Sequence, residues 1–183
     1  MNKTTISLLL VLATFCELSY ADAGDQYLLP KLGYMSVDLN DADPIFSLGV
    51  LYGYGITPGF TVEGELNLGL SGGEYDNTLS SGTRLQGEYS IWTLAAYGVY
   101  RYPVTNVIFL KGKLGILYEN IERDGTQTPA AGTPLPDSRK TTGFGAAGGI
   151  GAGFVIKDST LEFEVTGIDE DIIFYSIGVN YSF

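Results

Sequence analysis

Eight stretches of the chain alternate large apolar residues with small or polar ones, and this two-residue period constrains the fold more than any other feature. Between residues 46 and 56, for example, Phe46, Leu48 and Tyr52 are large, whereas Ser47 and Gly49 between them are small. Successive side chains of a β-strand point to opposite faces, so the alternation predicts strands. No helical period follows residue 25, and we therefore expect an all-β protein.

The connections between the predicted strands alternate between short and long. Residues 57–59, 103–106 and 157–159 form short turns, whereas 38–44, 71–88, 119–141 and 167–171 form longer, more polar connections. The connection 119–141 carries three prolines and is predicted to be a mobile loop. Short turns at one end and long loops at the other are typical of outer-membrane barrels. The pattern predicts an eight-stranded antiparallel up-and-down transmembrane β-barrel with both termini in the periplasm.

The polarity of the two strand faces separates this fold from a soluble, lipocalin-like barrel of eight strands. One face carries bulky aliphatic and aromatic residues with almost no charge, and the other carries Gly, Ser, Thr and the strand-centre charges. In water, the bulky face would form one continuous apolar patch, which soluble monomers do not tolerate. The bulky face is therefore predicted to contact lipid, and the polar face to line a narrow lumen.

The strand-centre charges are balanced in sign, with four acidic and four basic residues. Unpaired buried charge is costly, so we expect these residues to pair, to fill the lumen and to leave no open channel. A carboxylate pair such as Glu63 and Glu65 is alternatively compatible with glycosidase-like acid/base chemistry. A gated, narrow channel for small solutes or ions is the other alternative. The predicted lumen network comprises Lys31, Glu63, Glu65, Arg101, Lys111, Lys113, Glu162 and Glu164.

Aromatic residues of the bulky face fall into two groups, as expected of girdles at the two lipid–water boundaries. Near the predicted periplasmic turns lie Tyr52, Tyr54, Phe60, Tyr100, Tyr102 and Phe154, together with Tyr181 and Phe183. Near the predicted loops lie Tyr34, Phe46, Trp92, Tyr118, Phe144 and Tyr175.

The first residues have the pattern of an export signal. Lys3 precedes an apolar run over residues 6–15, which is too short to span a bilayer. The small residues that follow predict a signal peptide at 1–21, with cleavage after Ala21 or alternatively after Ala23, and a barrel domain at 22–183. Cys16, the only cysteine, lies within this signal, so the mature chain is expected to contain no disulfide.

Composition excludes several classes of function. The net charge of −11 argues against nucleic acid as a partner. The chain contains no histidine, which removes the commonest catalytic base, and without a mature cysteine a zinc site is not expected. We therefore expect neither an enzyme nor a cofactor. The acidic connections suggest divalent-cation binding or a basic host partner, or simply a solvated surface; their carboxylates are Asp38, Asp41, Asp43, Glu74, Asp76, Asp169, Glu170 and Asp171.

The export signal, the KLGY motif at residues 31–34, the glycine-rich stretch 143–153 and the terminal Tyr-x-Phe resemble the small outer-membrane β-barrels of Gram-negative bacteria. These are the OmpA/OmpX-type barrels and the related opacity and adhesin-like barrel domains. The resemblance implies a monomer in the bacterial outer membrane, surrounded by lipid and lipopolysaccharide. Unlike OmpA, the chain is expected to have no added periplasmic domain.

The resemblance also implies that the terminal aromatic pattern is a tag read by the barrel-assembly machinery. This pattern maps onto Tyr175, Ile177, Val179, Tyr181 and Phe183. In such proteins the barrel is a scaffold and the loops carry specificity. The expected function is therefore that of a non-enzymatic, adhesin-like surface or structural protein, whose extracellular loops contact a host, matrix or envelope partner.

Overall fold

The computed structural model describes residues 23–37, 43–70, 72–157, 159–168 and 172–183, and within them the chain forms nine β-strands. The predicted signal peptide at 1–21 lies outside the described residues. The strands are β1 (Gln26–Val37), β2 (Ile45–Thr57), β3 (Phe60–Gly69), β4 (Gly73–Thr78), β5 (Arg84–Pro103), β6 (Ile108–Thr128), β7 (Leu135–Ile156), β8 (Ser159–Ile168) and β9 (Ile172–Ser182). No helix that is long and apolar enough to cross a membrane occurs among these residues.

Eight of these strands close into an antiparallel barrel, which confirms the predicted fold class. The order of strands is β3-β2-β1-β9-β8-β7-β6-β5-β4, and a direct pairing of β3 with β5 completes the ring. Of the described strands, β5 alone pairs with the ninth strand, β4, which continues the position of β3 beyond the end of the ring. Closure of the ring leaves no free edge in the barrel wall, as a membrane-spanning sheet requires.

The short turns lie where the sequence predicts them. Two residues connect β2 to β3 and two connect β7 to β8, whereas four connect β5 to β6. Gly59 in the first turn has a φ of +79°, a left-handed conformation that favours glycine. All three turns lie at one end of the barrel, beside the start of β1 and the end of β9. This end is the predicted periplasmic end.

Strand length, in contrast, departs from the prediction. Strands β5, β6 and β7 contain 20, 21 and 22 residues, whereas β1, β2, β3, β8 and β9 contain 10 to 13. The prediction that 71–88 and 119–141 are loops is therefore wrong, because both connections consist mainly of paired strands. Among the described residues of these two connections, residue 72 and the tips at 79–83 and 129–134 lie outside strands.

The prolines of the β6–β7 connection fit this hairpin. Pro129 and Pro134 lie in the tip, outside both strands. Pro136 lies within β7. At the other end of this strand, the Val155 N–H donates to the Val107 carbonyl oxygen on the β6 side, and the register continues unbroken from there to Leu135. Backbone groups of odd-numbered residues in β7 therefore point to β6, and those of even-numbered residues point away from it. Pro136 lacks an N–H at a position where β6 needs none.

Candidate functional site

The middle of the lumen is an ionic layer formed by the eight charged residues that the sequence assigns to it. Each of them is at most 4% exposed, and each lies at an inward-facing position of its strand. They come from five strands: Lys31 from β1, Glu63 and Glu65 from β3, Arg101 from β5, Lys111 and Lys113 from β6, and Glu162 and Glu164 from β8.

Glu164 is the most connected carboxylate of this layer. Its Oε2 atom lies 3.1 Å from Nζ of Lys31 and 3.0 Å from Nζ of Lys113, and its Oε1 atom accepts a bond from Lys111. Glu65 joins two of the same lysines, at 2.7 Å from Lys31 and 2.9 Å from Lys113. These contacts hold β1, β3, β6 and β8 together through the centre of the barrel.

Arg101 extends the ionic layer towards the periplasmic end. Its Nη2 atom lies 3.1 Å from Glu63 and 3.3 Å from Glu162. The guanidinium also lies over two rings, at 4.5 Å from the centroid of Tyr27 and 5.6 Å from that of Phe109. Arg101, Tyr27 and Phe109 are each at most 2% exposed, so this end of the lumen is filled by a cation between aromatic rings.

Lys111 joins the two parts of the layer. Besides Glu164, its ammonium group lies 3.0 Å from Glu63 and 3.1 Å from Glu162. Every carboxylate of the layer therefore has a cation within 3.3 Å. Because the charges are mutually compensated and deeply buried, none of these carboxylates is accessible to a substrate in this structure.

Glycines provide the room for these long side chains. A Cβ atom at Gly49 would lie 2.9 Å from Cγ of Lys31, and one at Gly151 would lie 3.2 Å from Cγ of Glu164. The glycine-rich face that the sequence assigns to the lumen thus faces the places where the charged side chains lie. A narrow barrel can hold this network only because neighbouring inward positions lack side chains.

The extracellular half of the lumen contains a cluster of large apolar side chains, which the sequence did not predict, beside buried polar residues such as Asn67 and Thr93. Met35, Ile45, Ile168 and Phe174 are fully buried there, in one cluster with residues of β5, β6 and β7. The expectation that the inward face carries only small, polar and charged residues is therefore wrong for this half. The missed residues are Met35, Ile45, Ile91, Leu117, Ile121, Ile168, Ile172 and Phe174. Stretches with apolar residues on both faces of a strand, such as residues 172–175, were the sequence signal that could have predicted this cluster.

Above the barrel ring, β4 and the ends of β5, β6 and β7 form a four-stranded antiparallel sheet, called the extracellular sheet below. It comprises residues 73–78, 84–91, 121–128 and 135–141. On its outer face Glu74 is the direct register partner of Glu88, which in turn is the partner of Asp124. Three carboxylates therefore form a row across three strands, an arrangement that disfavours anionic ligands on this face.

Two exposed ion pairs flank this acidic row. Arg84 donates two hydrogen bonds to the Asp76 carboxylate, and Lys140 Nζ lies 2.5 Å from Glu122 Oε1. The hydrogen bond from Arg84 lowers the pKa of Asp76, and the hydrogen bond from Lys140 lowers the pKa of Glu122. Both pairs are solvent-exposed, so each contributes little to stability.

The acidic connections contain no metal centre within the described residues, where no group of three or more potential ligands is found. Asp43, Glu74 and Asp76 are exposed or partly exposed in the structure. The other five carboxylates of the prediction, Asp38, Asp41, Asp169, Glu170 and Asp171, lie outside the described residues.

The aromatic residues assigned to the girdles face outward at the two ends of the barrel wall. Tyr34 packs against Phe46 with ring centroids 5.5 Å apart, and Tyr118 contacts both Trp92 and Phe144 at 5.5 and 5.0 Å. These contacts connect the loop-side aromatics across neighbouring strands. At the turn side Tyr52, Tyr54, Phe60, Tyr100, Tyr102 and Phe154 are 39–56% exposed.

The residues of the predicted assembly tag all lie on the outer face of β9 or just after it. Tyr175, Ile177 and Tyr181 are 41–53% exposed, and Phe183 is 76% exposed. Val179 lies between them on the same face and is less exposed. The Phe183 N–H donates to the Gln26 carbonyl oxygen at 2.9 Å, so the last residue is still held to the first strand.

Comparisons with solved structures identify the same architecture. OprG of Pseudomonas aeruginosa aligns with a TM-score of 0.63 at 16% identity, over 91% of this chain and 99% of that one. The N-terminal barrel domain of OprF from the same species gives 0.56 at 14% identity, over 89% and 100% of the chains. The attachment invasion locus protein Ail of Yersinia pestis, in complex with the heparin analogue sucrose octasulfate, gives 0.52 at 15%, over 89% and 100%.

The chain matches none of the curated proteins with which it was compared. A family model described as the outer membrane protein beta-barrel domain matches residues 6–183, nearly the whole sequence. The match confirms the resemblance to small Gram-negative outer-membrane barrels and, with it, a place in the bacterial outer membrane. The chain therefore belongs to the outer membrane protein β-barrel domain family.

Proposed function

We propose that this protein is a non-conducting, non-enzymatic surface barrel whose extracellular sheet binds a partner protein of the host or the cell envelope. The observation that supports the proposal is the combination of a lumen that contains the ionic layer and the apolar cluster with a sheet that rises from one side of the ring. The ionic layer and the apolar cluster lie one above the other along the barrel axis, so a solute that crosses the lumen would have to displace both. The sheet, in contrast, presents two faces and the hairpin tips to the outside.

The size of the sheet supports binding rather than simple anchoring. Between the loop-side aromatics Tyr118 and Phe144 and the hairpin tip, β6 continues for ten residues and β7 for nine. At about 3.4 Å per residue this is roughly 30 Å of strand. A barrel that served only to span the bilayer would not need a wall of this height on one side.

The chemistry of the sheet favours a protein partner over a polyanion. Ail was solved with a sulfated sugar, and such a ligand needs a basic surface. Here the outer face carries the acidic row of Glu74, Glu88 and Asp124, and its cations Arg84 and Lys140 are each paired with a carboxylate. We therefore propose that the ligand class differs from that of Ail.

Removal of the hairpin tests the binding function. Ile121 and Thr141 are register partners, so residues 122–140 can be replaced by Asn-Gly, the preferred two-residue hairpin turn, without altering the barrel wall. A matched control replaces only the tip, residues 129–134. Whole cells with the first variant should lose binding to extracellular matrix, serum or host-cell surfaces. Unchanged binding to all of these and unchanged cross-linking to envelope proteins, with equal surface levels, would refute the proposal.

A narrow channel is the alternative function, and single-channel recording in a planar bilayer separates the two. The refolded barrel should show no stepwise currents, because the ionic layer and the apolar cluster each close the lumen. Stepwise currents that change in the Glu63→Gln variant would instead establish a channel through the ionic layer.

A further inference from the structure

The inner face of the extracellular sheet, which is turned towards the barrel axis, carries two arginines side by side. Odd-numbered residues of β5, β6 and β7 point into the lumen, and the registers of these strands continue unbroken into the sheet. Arg123 of β6 and Arg139 of β7 therefore lie on this inner face, where they are direct register partners. Like charges directly opposite each other disfavour strand pairing, so the arrangement favours an anion beside them.

The described residues compensate only part of this positive charge. Nε of Arg139 lies 2.9 Å from Oδ1 of Asp137 on the same strand and face. Arg123 forms no ion pair with a described residue, and its Nε atom is buried there without a hydrogen-bond partner. Glu119, the next carboxylate on the inner side of β6, lies four residues below Arg123, roughly 14 Å along the strand. Among Arg123, Arg139 and Asp137, one positive charge is therefore in excess.

The neighbouring side chains leave room beside Arg123. Tyr89, its register partner on β5, leans away towards β4, because a Cβ at Gly73 would lie 2.2 Å from the Tyr89 ring. The Tyr89 hydroxyl donates to the Asp43 carbonyl oxygen at 2.7 Å, which fixes this orientation. Gly125, two residues above Arg123 on the same face, has no side chain. A small polar group can thus lie against Arg123 from the side of the barrel axis.

Tyr75 of β4 supplies a further donor at this place. It shares a register row with Gly87 of β5 and Gly125 of β6. A Cβ at Gly125 would lie 2.6 Å from the Tyr75 hydroxyl oxygen, so this hydroxyl reaches across β5 to the residue above Arg123. Within the described ranges the Tyr75 hydroxyl forms no hydrogen bond. Donors from β4, β6 and β7 therefore lie next to one another on the inner face.

The inner face is accessible from outside the cell within the described part of the chain. Across the barrel axis β1 ends at Val37 and β8 ends at Ile168. Ile168 pairs with Ala147, which lies eight residues below Arg139, roughly 27 Å along β7. Membrane lipids surround the outer side of the wall, so their headgroups do not face the two arginines. A ligand of this site must approach from above the barrel.

We infer that Arg123 and Arg139, together with Tyr75, bind a carboxylate group of the partner protein on the inner face of the sheet. The inference rests on the proposed function and names the face that binds and the chemistry that it recognises. Hydrogen bonds from a guanidinium to a carboxylate are charge-assisted and often bidentate. One carboxylate matches the single excess charge, whereas a phosphate monoester or a polysulfated sugar would exceed it.

NMR of the arginine side chains in the refolded, full barrel tests the inference directly. The probe is sodium acetate, exchanged for sodium chloride at constant ionic strength. At millimolar concentration acetate should shift the Nε–Hε signals of Arg123 and Arg139 in a saturable way and leave that of Arg84, on the outer face, unchanged. The absence of a saturable shift at Arg123 and Arg139 would overturn the inference. Inorganic phosphate that binds at least about tenfold more tightly than acetate would overturn the assignment to a carboxylate.

A pair of variants separates the site from the overall charge. Arg123→Gln should weaken acetate binding, followed at Arg139, at least about tenfold. The matched control Arg84→Gln removes the same charge from the outer face and should bind acetate as the original chain does. Heat-modifiable migration on a gel checks that both variants fold. Equal acetate binding by the two folded variants would contradict the site.

The chain's own loop carboxylates are tested as a competing source of the anion. A variant with Asp169→Asn, Glu170→Gln and Asp171→Asn should bind acetate within about threefold of the original chain at physiological ionic strength, where exposed charges are screened. Acetate binding that occurs only in this variant would show that the chain itself supplies the carboxylate, and the inference would fail.

The outcome is distinguishable from failure of the proposed function. The double variant Arg123→Gln/Arg139→Gln should reduce cell binding several-fold. If it binds cells as the original chain does, while the 122–140 replacement abolishes binding, the sheet binds by another surface and only the inference about the arginines fails. If the replacement leaves cell binding unchanged, the proposed function fails whatever acetate does.

Discussion

Nζ of Lys113 lies 3.0 Å from Oε2 of Glu164, and this contact joins β6 to β8 through the lumen without passing through β7, which separates them in the wall. Contacts of this kind connect strands that share no backbone ladder. The barrel is thus stabilised by two independent sets of interactions, the ring of hydrogen bonds and the ionic cross-links inside it.

Substitution of the most connected carboxylate should cost the most stability. Glu164→Gln leaves Lys31, Lys111 and Lys113 with fewer counter-charges in a buried site, so we expect a loss of about 3–5 kcal/mol in the free energy of unfolding. Urea unfolding of the refolded barrel measures it. Asp137→Asn, which breaks the exposed pair with Arg139, is the control and should change stability by at most about 1 kcal/mol. Equal effects of the two variants would contradict a structural role for the network.

Substitution by alanine should impair folding at one glycine of β6 and leave it unchanged at another. A Cβ at Gly115 would lie 1.9 Å from the backbone oxygen of Ala96, whereas nothing lies within 4 Å of a Cβ at Gly112. Gly115→Ala must shift the neighbouring strand and should reduce the yield of refolded barrel, whereas Gly112→Ala should fold as the original chain does. Heat-modifiable migration on a gel gives both yields. Normal folding of the Gly115 variant would contradict the prediction, because the neighbouring strand could then move aside without loss of folding.

Replacement of the last residue should affect assembly in cells more than folding in detergent. Phe183→Asp removes the final aromatic of the predicted assembly tag but leaves the N–H that bonds to Gln26. Outer-membrane levels should fall several-fold, while the yield of refolded barrel changes little. Phe154→Asp is the matched control, because it removes an aromatic of the same girdle from a different strand. Normal surface levels of the Phe183 variant would exclude the tag.

The titration of Glu122 should depend on Lys140. The hydrogen bond from Lys140 depresses the pKa of Glu122 in the folded protein, so Lys140→Met should raise that pKa towards the ordinary glutamate value. With a depressed folded pKa, the contribution of the pair to stability is present above the unfolded pKa and is lost as the pH falls through the folded pKa. NMR titration of the side-chain carboxyl carbon measures the shift. An unchanged pKa in the variant would mean that the pair does not persist in solution.

The strands of the ring were predictable because each has one face against lipid and one against a narrow lumen. That difference creates a two-residue period, as in residues 46–56, and it marks the inward charges such as Glu63 and Lys111. The pairing of particular charges was not predictable, because it depends on the stagger between strands. Glu164 meets three lysines only once the ring has closed.

The extracellular sheet escaped prediction for a different reason. Both of its faces contact water over much of their area, so β6 and β7 lose their apolar alternation beyond Tyr118 and Phe144. Prolines at 129, 134 and 136 reinforced the appearance of a loop. The apolar cluster in the upper lumen was missed because Ile172 and Phe174 face inward while Ile173 and Tyr175 face outward, which removes the alternation that the interpretation relied on.

The unequal strand lengths give the molecule a front and a back within the plane of the membrane. A ring of uniform height would present the same surface to a ligand from every side, but here, among the described residues, the sector from β4 to β7 extends furthest above the ring. Two molecules at the same depth in the membrane can therefore differ in the direction that the sheet faces. A ligand that approaches along the cell surface contacts the sheet only when that sector has turned towards it. Any neighbour that restrains this rotation would set the direction in which the protein can bind.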